Sequence, residues 1–162
     1  MKIFNDIEWK KLFEREKRNY EIIHHPLIPK FYGIGKINKE VCLFIEYIKG
    51  RSLYEIKEMK LNKEEKIIII YELLKVIEYL HQNEFIYRDL KPDNFIIDGN
   101  KTLVLIDFDR MLNKDEMQKT QNFFSIYIAP EIYDKSKRYS YEVDIYSLGL
   151  IVYFIIMEKE AH

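Results

Sequence analysis

The chain has 162 residues, 48% of them apolar and 33% charged, with a formal net charge of −1. That length and composition describe one globular domain with a core of its own and exclude a disordered chain. The near-neutral charge gives nucleic acid or an anionic membrane no electrostatic reason to be the main partner. Cys42 is the only cysteine, so no internal disulfide forms and a reducing compartment suits the chain.

In chain order, the N-terminus Met-Lys-Ile-Phe-Asn-Asp lacks the apolar run of a signal peptide. Residues 7–23 read as a helix, with Asn5 or Asp6 as cap and Pro26 beyond its end. Residues 31–35 and 41–47 read as strands around a turn at 36–39. Cys42 falls in the second of these apolar runs and is expected in the core.

Asn62 is placed to cap a long helix over 63–82, with Ile67, Ile70, Leu73, Leu74, Ile77 and Leu80 on one face. Residues 95–98 and 103–106 form short strands around Gly99-Asn100, a hairpin signal. The apolar run 145–157 is too short to span a bilayer and reads as a second buried helix after Asp144. Nothing directs the chain elsewhere, so the cytoplasm is its expected location. The order of elements gives an α+β arrangement, strand-rich first and helical later.

The chemistry concentrates in Tyr87-Arg88-Asp89-Leu90-Lys91-Pro92-Asp93-Asn94, between the long helix and the hairpin. It holds a carboxylate, a cation and a carboxamide at fixed offsets. Phosphoryl transfer uses that set: a base to orient a hydroxyl, a cation for the migrating group and an oxygen to hold magnesium. Asp107-Phe108-Asp109 leaves the end of the following strand, thirteen positions after Asn94, where its first carboxylate can share a metal with that carboxamide.

The loop resembles the catalytic loop of eukaryotic-type protein kinases, H-R-D-L-x-x-x-x-N, with Tyr87 in the histidine position. Asp107-Phe108-Asp109 is similar to D-F-G, Ala129-Pro130-Glu131 matches A-P-E, and residues 144–149 resemble the start of the central helix of the large lobe. Upstream, residues 46–50 look like the hinge between lobes, and residues 15–26 like the αC helix and the turn that follows it.

The resemblance implies an α+β, two-lobe kinase fold. Residues 1–48 would be the remnant of the small lobe with the hinge, and residues 49–162 the first part of the large lobe. It implies that the chain is truncated at both ends, because no Gly-rich loop precedes Lys2 and the chain stops at His162, within or just after the central helix.

The resemblance also assigns residues. Asp89 would be the catalytic base and Lys91 would touch the γ-phosphate, marking serine or threonine specificity. Asn94 and Asp107 would hold Mg2+, and Asp144 would anchor the catalytic loop. Lys2 would hold phosphates and Glu16 would orient it; the plain alternatives are an exposed terminal lysine and a solvated helix glutamate. Ile45 would be the gatekeeper, the backbone of Glu46 and Ile48 would meet adenine, and Ile96 would lie beneath it, or this is an ordinary strand end with a core isoleucine. Arg88 suggests control by phosphorylation of the segment 107–131, with Thr120, Ser125 and Tyr127 as acceptors; Tyr127 fits a packing role better. Glu131 would pair with an arginine beyond the chain.

Two departures stand out. Asp109 replaces the glycine of D-F-G, and Phe124 occupies the place of a hydroxyl residue, with Ser125 one position away. Asp109 is expected to take a positive φ at some cost and to put an extra carboxylate near the metal. The implied function is ATP-dependent phosphorylation of serine or threonine in a protein substrate, with ATP and Mg2+. The alternatives are a pseudokinase or fragment acting as a binding module, and a small-molecule phosphotransferase of kinase-like fold.

Overall fold

The computed structural model describes residues 7–116, 125–133 and 140–160. Lys2, Thr120 and Phe124, singled out above, lie outside them.

Helix α1 spans Ile7–Ile22. Its buried side carries Phe13 and Tyr20, continued by Ile23, but also two polar residues, Glu16 and Asn19. After it, Leu27 O accepts a hydrogen bond from Leu105 N at 2.9 Å, tying this segment to the later sheet. Strands β1, Phe31–Ile37, and β2, Glu40–Ile45, form an antiparallel hairpin. Its turn is tighter than the expected 36–39. Asn38 and Lys39 alone turn the chain, with φ of 51° and 71°, the two left-handed residues whose twist suits a hairpin. The pairing slips between Phe31 and Gly33, where Gly33 takes φ 125°, a conformation costly to any other residue. Cys42 is buried, as expected.

The segment read as the end of a hinge runs into a strand that the sequence did not signal. Strand β3, Gly50–Ser52, pairs with β5, Phe95–Asp98, which pairs in turn with β6, Leu103–Leu105. A capping box at Ser52 and Glu55 starts a short turn that continues into α2, Ile56–Met59. The β5–β6 connection is longer than Gly99-Asn100. The Asp98 carboxylate accepts from Asn100 N at 2.8 Å and Thr102 N at 2.9 Å, and the left-handed residue is Lys101 rather than Gly99.

Helix α3 covers Lys63–Gln82 and starts where expected, Asn62 and Glu65 forming a reciprocal cap. Its buried face is rotated from the expected one. Ile69, Leu73, Val76, Ile77 and Leu80 are buried, whereas Ile67 and Leu74 are exposed. Four consecutive isoleucines at 67–70 fit several registers, and only the neighbouring elements choose one. Each buried side chain contributes about 1.5–3 kcal/mol.

Strand β4, Phe85–Ile86, pairs with β7, Leu112–Asn113, on either side of the loop and hairpin. Helix α4 spans Glu142–Met157, so Asp144 lies inside its first turn. One side packs through Leu148, Ile151, Phe154 and Ile155, while Ile145, Ile156 and Met157 are exposed, so the helix is buried on one side only. The core joins α3, α4 and the β3–β5–β6 sheet, with Tyr20 of α1 reaching into it. Among the described residues no helix is long and apolar enough to cross a membrane.

Candidate active site

The loop from Tyr87 to Asp93 is held from below by one carboxylate. Asp144, fully buried, accepts Tyr87 N on Oδ2 and Arg88 N on Oδ1, each at 2.8 Å. His81 Nε2 lies 2.8 Å from the same Oδ2. The two adjacent amides can converge on one side chain because the chain bends sharply at Arg88, whose φ is 72°. A non-glycine residue holds that conformation only where its surroundings fix it.

The bend brings Asp89 to the head of the loop. Its Oδ2 receives Lys91 Nζ at 2.9 Å and Asn94 Nδ2 at 3.2 Å, with Arg110 Nε 3.6 Å away. Asn94 Nδ2 also donates to the Asp89 carbonyl at 2.8 Å. Since the amide nitrogen of Asn94 faces Asp89, its carboxamide oxygen is turned away from that residue.

Asp107 is brought alongside Asn94 by a backbone bond, Ile106 N to Asn94 O at 2.9 Å. It is Asp107 that takes the positive φ, 69°, and not Asp109. The expected strain at the glycine position is therefore not incurred. The Asp109 carboxylate lies 3.9 Å from Arg110 Nε, and Arg110 is also, with Lys91, a cation beside Asp89. The arginine that follows the substitution thus sits where it balances the added charge. Among the described residues no group of three or more His, Cys, Asp or Glu is arranged as a metal cluster. One carboxylate and one carboxamide oxygen fit magnesium, which takes few protein ligands and keeps water and phosphate oxygens.

Tyr87 and Phe108 sit beneath this centre. The Tyr87 hydroxyl lies 2.6 Å from Ile106 O and 2.7 Å from Asp107 O, so one proton is shared between two carbonyls. Burial, with Asp107 nearby, raises the Tyr87 pKa well above its ordinary value and keeps that proton in place. The Phe108 ring meets Tyr87 edge-on at 5.7 Å and Tyr20 at 5.0 Å, and Tyr20 stacks on Phe31 at 6.0 Å.

Above lies a cavity of about 450 Å³ between the β1–β2 hairpin and the β5 sheet. Ile45, Glu46, Ile48 and Ile96, the residues picked out for adenine, all line it, as do Glu16 and Asp107. Glu46 N donates to Lys30 O at 2.8 Å and its carboxylate accepts Lys30 N at 3.1 Å, fixing the strand end that borders the cavity. Glu16 is buried there instead of solvated.

Arg88 is buried. Ser125 Oγ accepts Tyr127 N at 3.2 Å, and Glu131 is half-buried in a short turn at Pro130–Tyr133. Tyr127 is buried, its pKa raised by loss of solvent, in keeping with a packing residue. Its carbonyl accepts Ser147 Oγ at 2.6 Å, which fastens this segment to α4.

Several contributors had no signal in the sequence. Asn19 on α1 and His81 at the end of α3 are single polar residues on helices, which pattern reading assigns to solvent. Arg110 follows the recognisable triplet, but only its position beside Asp89 gives it meaning.

Comparison with known proteins agrees with this geometry. The sequence model of the protein kinase domain matches residues 1–162. The chain is 28% identical to a carbon catabolite-derepressing protein kinase of Candida glabrata, over 90% of this chain and 24% of that protein. It is 29% identical to an Aurora kinase of Eremothecium gossypii, over 91% and 41% respectively. It is 31% identical to a cAMP-dependent protein kinase type 3 of Saccharomyces cerevisiae, over 85% and 35%. The chain thus spans between about a quarter and two fifths of the length of these relatives. With a buried aspartate fixing the catalytic-type loop, an Asn–Asp pair beside it, a cleft above and a family match from end to end, this chain belongs to the protein kinase domain family.

Proposed function

We propose that the chain carries the phosphoryl-transfer centre of an ATP-dependent protein kinase acting on serine or threonine hydroxyls. The observation that carries this reading is the arrangement around Asp89: a buried carboxylate at the head of an Asp144-anchored loop, with Lys91 at 2.9 Å and Asn94 at 3.2 Å. Asp89 orients the acceptor hydroxyl and takes its proton. Lys91, half-buried and adjacent, places positive charge where the transferred group gathers negative charge. The relatives named above are protein kinases, which supports a protein as acceptor.

The cleft takes ATP, with adenine between the β2 end and Ile96, the backbone of Glu46 and Ile48 at its edge and Ile45 at its back. On this reading residues 1–48 are the small-lobe part with the hinge and residues 49–162 the first part of the large lobe. Asn94 and Asp107 hold Mg2+, which when bound neutralises charge on the phosphate oxygens. Lys2 holds phosphates and Glu16, buried at the cleft, orients it. Arg88, with Thr120 or Ser125 as phosphate acceptor, gives a route to control by phosphorylation, and Glu131 steadies the end of that segment. The one buried thiol, Cys42, suits a reducing compartment such as the cytoplasm.

The test is transfer of labelled phosphate from ATP to a generic basic protein, with magnesium present. Asp89→Asn removes the base and keeps the shape. The expected loss is about 10²–10⁴-fold, the range for a positioned acid–base group, with circular dichroism unchanged. An active Asp89→Asn variant removes Asp89 from this role. A folded wild-type chain without transfer to any serine or threonine favours the binding-module reading.

A further inference from the structure

We infer that Asn19 is a positioning residue for the metal-binding Asp107, making the geometry of the nucleotide site depend on α1. This rests on the reading of Asp107 as a magnesium ligand. Asn19 is fully buried, and its Nδ2 donates to Phe108 O at 2.7 Å and to Met111 O at 3.0 Å. One amide group thus grips both arms of the turn that follows Asp107. One turn earlier on the same helix, Arg15 Nη1 makes a longer contact of 3.5 Å with Asp109 O. From the other side, the Tyr87 hydroxyl reaches the carbonyls of Ile106 and Asp107. The carbonyls of Ile106, Asp107, Phe108, Asp109 and Met111 therefore all accept from side chains.

That mode of support matters because Asp107 is held at φ 69°, outside the regions a non-glycine residue prefers. Such a residue stays in place only when its neighbours over-determine it. Asp109 allows its segment less conformational freedom than glycine would, so the turn is both held and less free to swing. Asn19 Oδ1 meanwhile is buried with no hydrogen-bond partner among the described residues. An apolar side chain would fill the site without leaving that oxygen desolvated. The asparagine makes physical sense there for its two donors, which act on the turn and through it on the Asp107 carboxylate.

The experiment uses the whole 162-residue chain. A fluorescent ATP analogue is titrated with and without magnesium against wild type, Asn19→Leu and Arg15→Leu. Amide exchange is followed by mass spectrometry over residues 106–112 and 63–82. Outer partners of metal ligands typically contribute about 10–100-fold to metal affinity. Asn19→Leu is expected to lower the magnesium-dependent gain in nucleotide affinity by about tenfold, at the low end of that range, leaving magnesium-free affinity unchanged. Exchange in residues 106–112 should quicken while α3 stays protected, and Arg15→Leu should act in the same direction more weakly.

A folded Asn19→Leu chain with unaltered exchange and magnesium dependence overturns the inference. So does an equal loss with and without magnesium, which marks a purely structural role. Should Asn19→Leu fail to fold, Arg15→Leu decides, and its indifference in both readouts counts against the proposal. Faster exchange in residues 106–112 with no nucleotide bound even by wild type keeps the grip on the turn and refutes the ATP reading instead.

Discussion

Asp144 shows how one side chain sets up a site it does not enter. Its two oxygens hold the amides of Tyr87 and Arg88 and contact His81. In Asp144→Ala the two amides lose their acceptor in a buried place, at about 1–3 kcal/mol each. Urea denaturation should show a loss of several kcal/mol by that reckoning, with Asp144→Asn intermediate because it keeps one acceptor oxygen. An unchanged midpoint in Asp144→Ala would mean that the loop is held by other contacts. His25 offers a pH test at the same scale. Its Nδ1 accepts Leu27 N at 3.2 Å, which needs the neutral ring, and burial holds its pKa below the ordinary histidine value of about 6.5. Between the lowered folded value and the unfolded one, only the unfolded chain binds the proton. The stability contributed by this group is therefore complete above about pH 6.5 and declines as pH falls below it. Denaturation midpoints between pH 7 and 5 should fall less steeply in His25→Gln than in wild type. Parallel curves would take His25 out of the account.

At the scale of elements, the long helix and the hairpins follow from local rules, but β3 does not. Three residues carry too little pattern to mark a strand. Gly50 was legible only as part of a hinge; in the structure it faces β5, where an added Cβ would fall on the Ile97 carbonyl. Backbone cannot give way as a side-chain tip can. Gly50→Ala is thus expected to cost about 1–3 kcal/mol, the range for overpacking, measured by thermal or urea unfolding. A neutral result would show that β3 can separate from β5 without loss. Helix α3 carries the opposite lesson. Its limits and cap were readable from Asn62 and Glu65, yet the buried face was set by what it packs against, because its isoleucine run satisfies more than one register.

Across the whole molecule, the site is assembled from segments far apart in the chain. Asp144 is 57 positions from Tyr87, and Asn19 is 89 positions from Phe108. The aromatic column Tyr87–Phe108–Tyr20–Phe31 runs from the catalytic-type loop through α1 to the hairpin. Outside it, Arg18 clasps Glu116 through both carboxylate oxygens, at 2.5 and 2.7 Å. These contacts make the cleft and the loop beneath it a property of the assembled molecule. Asp107→Ala is expected to abolish the magnesium-dependent gain in affinity for an ATP analogue. Asn94→Ala should reduce it by about tenfold, because a full negative charge matters more to a hard cation than a carbonyl oxygen. Equal effects, or none on magnesium dependence, would reassign the metal site.

The order and spacing of Asp89, Lys91, Asn94, Asp107, Glu131 and Asp144 were enough, from sequence alone, to reach the family and the α+β architecture. Those residues sit in short strings whose chemistry requires fixed offsets, and the flanking helix and strand follow from local periodicity and caps. Ile45, Glu46, Ile48 and Ile96, which only the family resemblance singled out, line one cavity in the structure. Local rules could not say which backbone atoms would bear the strain. Asp109 looked like the strained position, and the structure puts the positive φ on Arg88 and Asp107, because Asp144 pins one bend and Tyr87 and Asn19 support the other. Nor could they show that Arg110 would balance Asp109 beside Asp89, or that a helix would bury Glu16 and Asn19 toward the site. Such facts depend on contacts between segments scores of residues apart, and side-chain partners at that distance leave no mark in periodicity or propensity. Tertiary packing alone chose them.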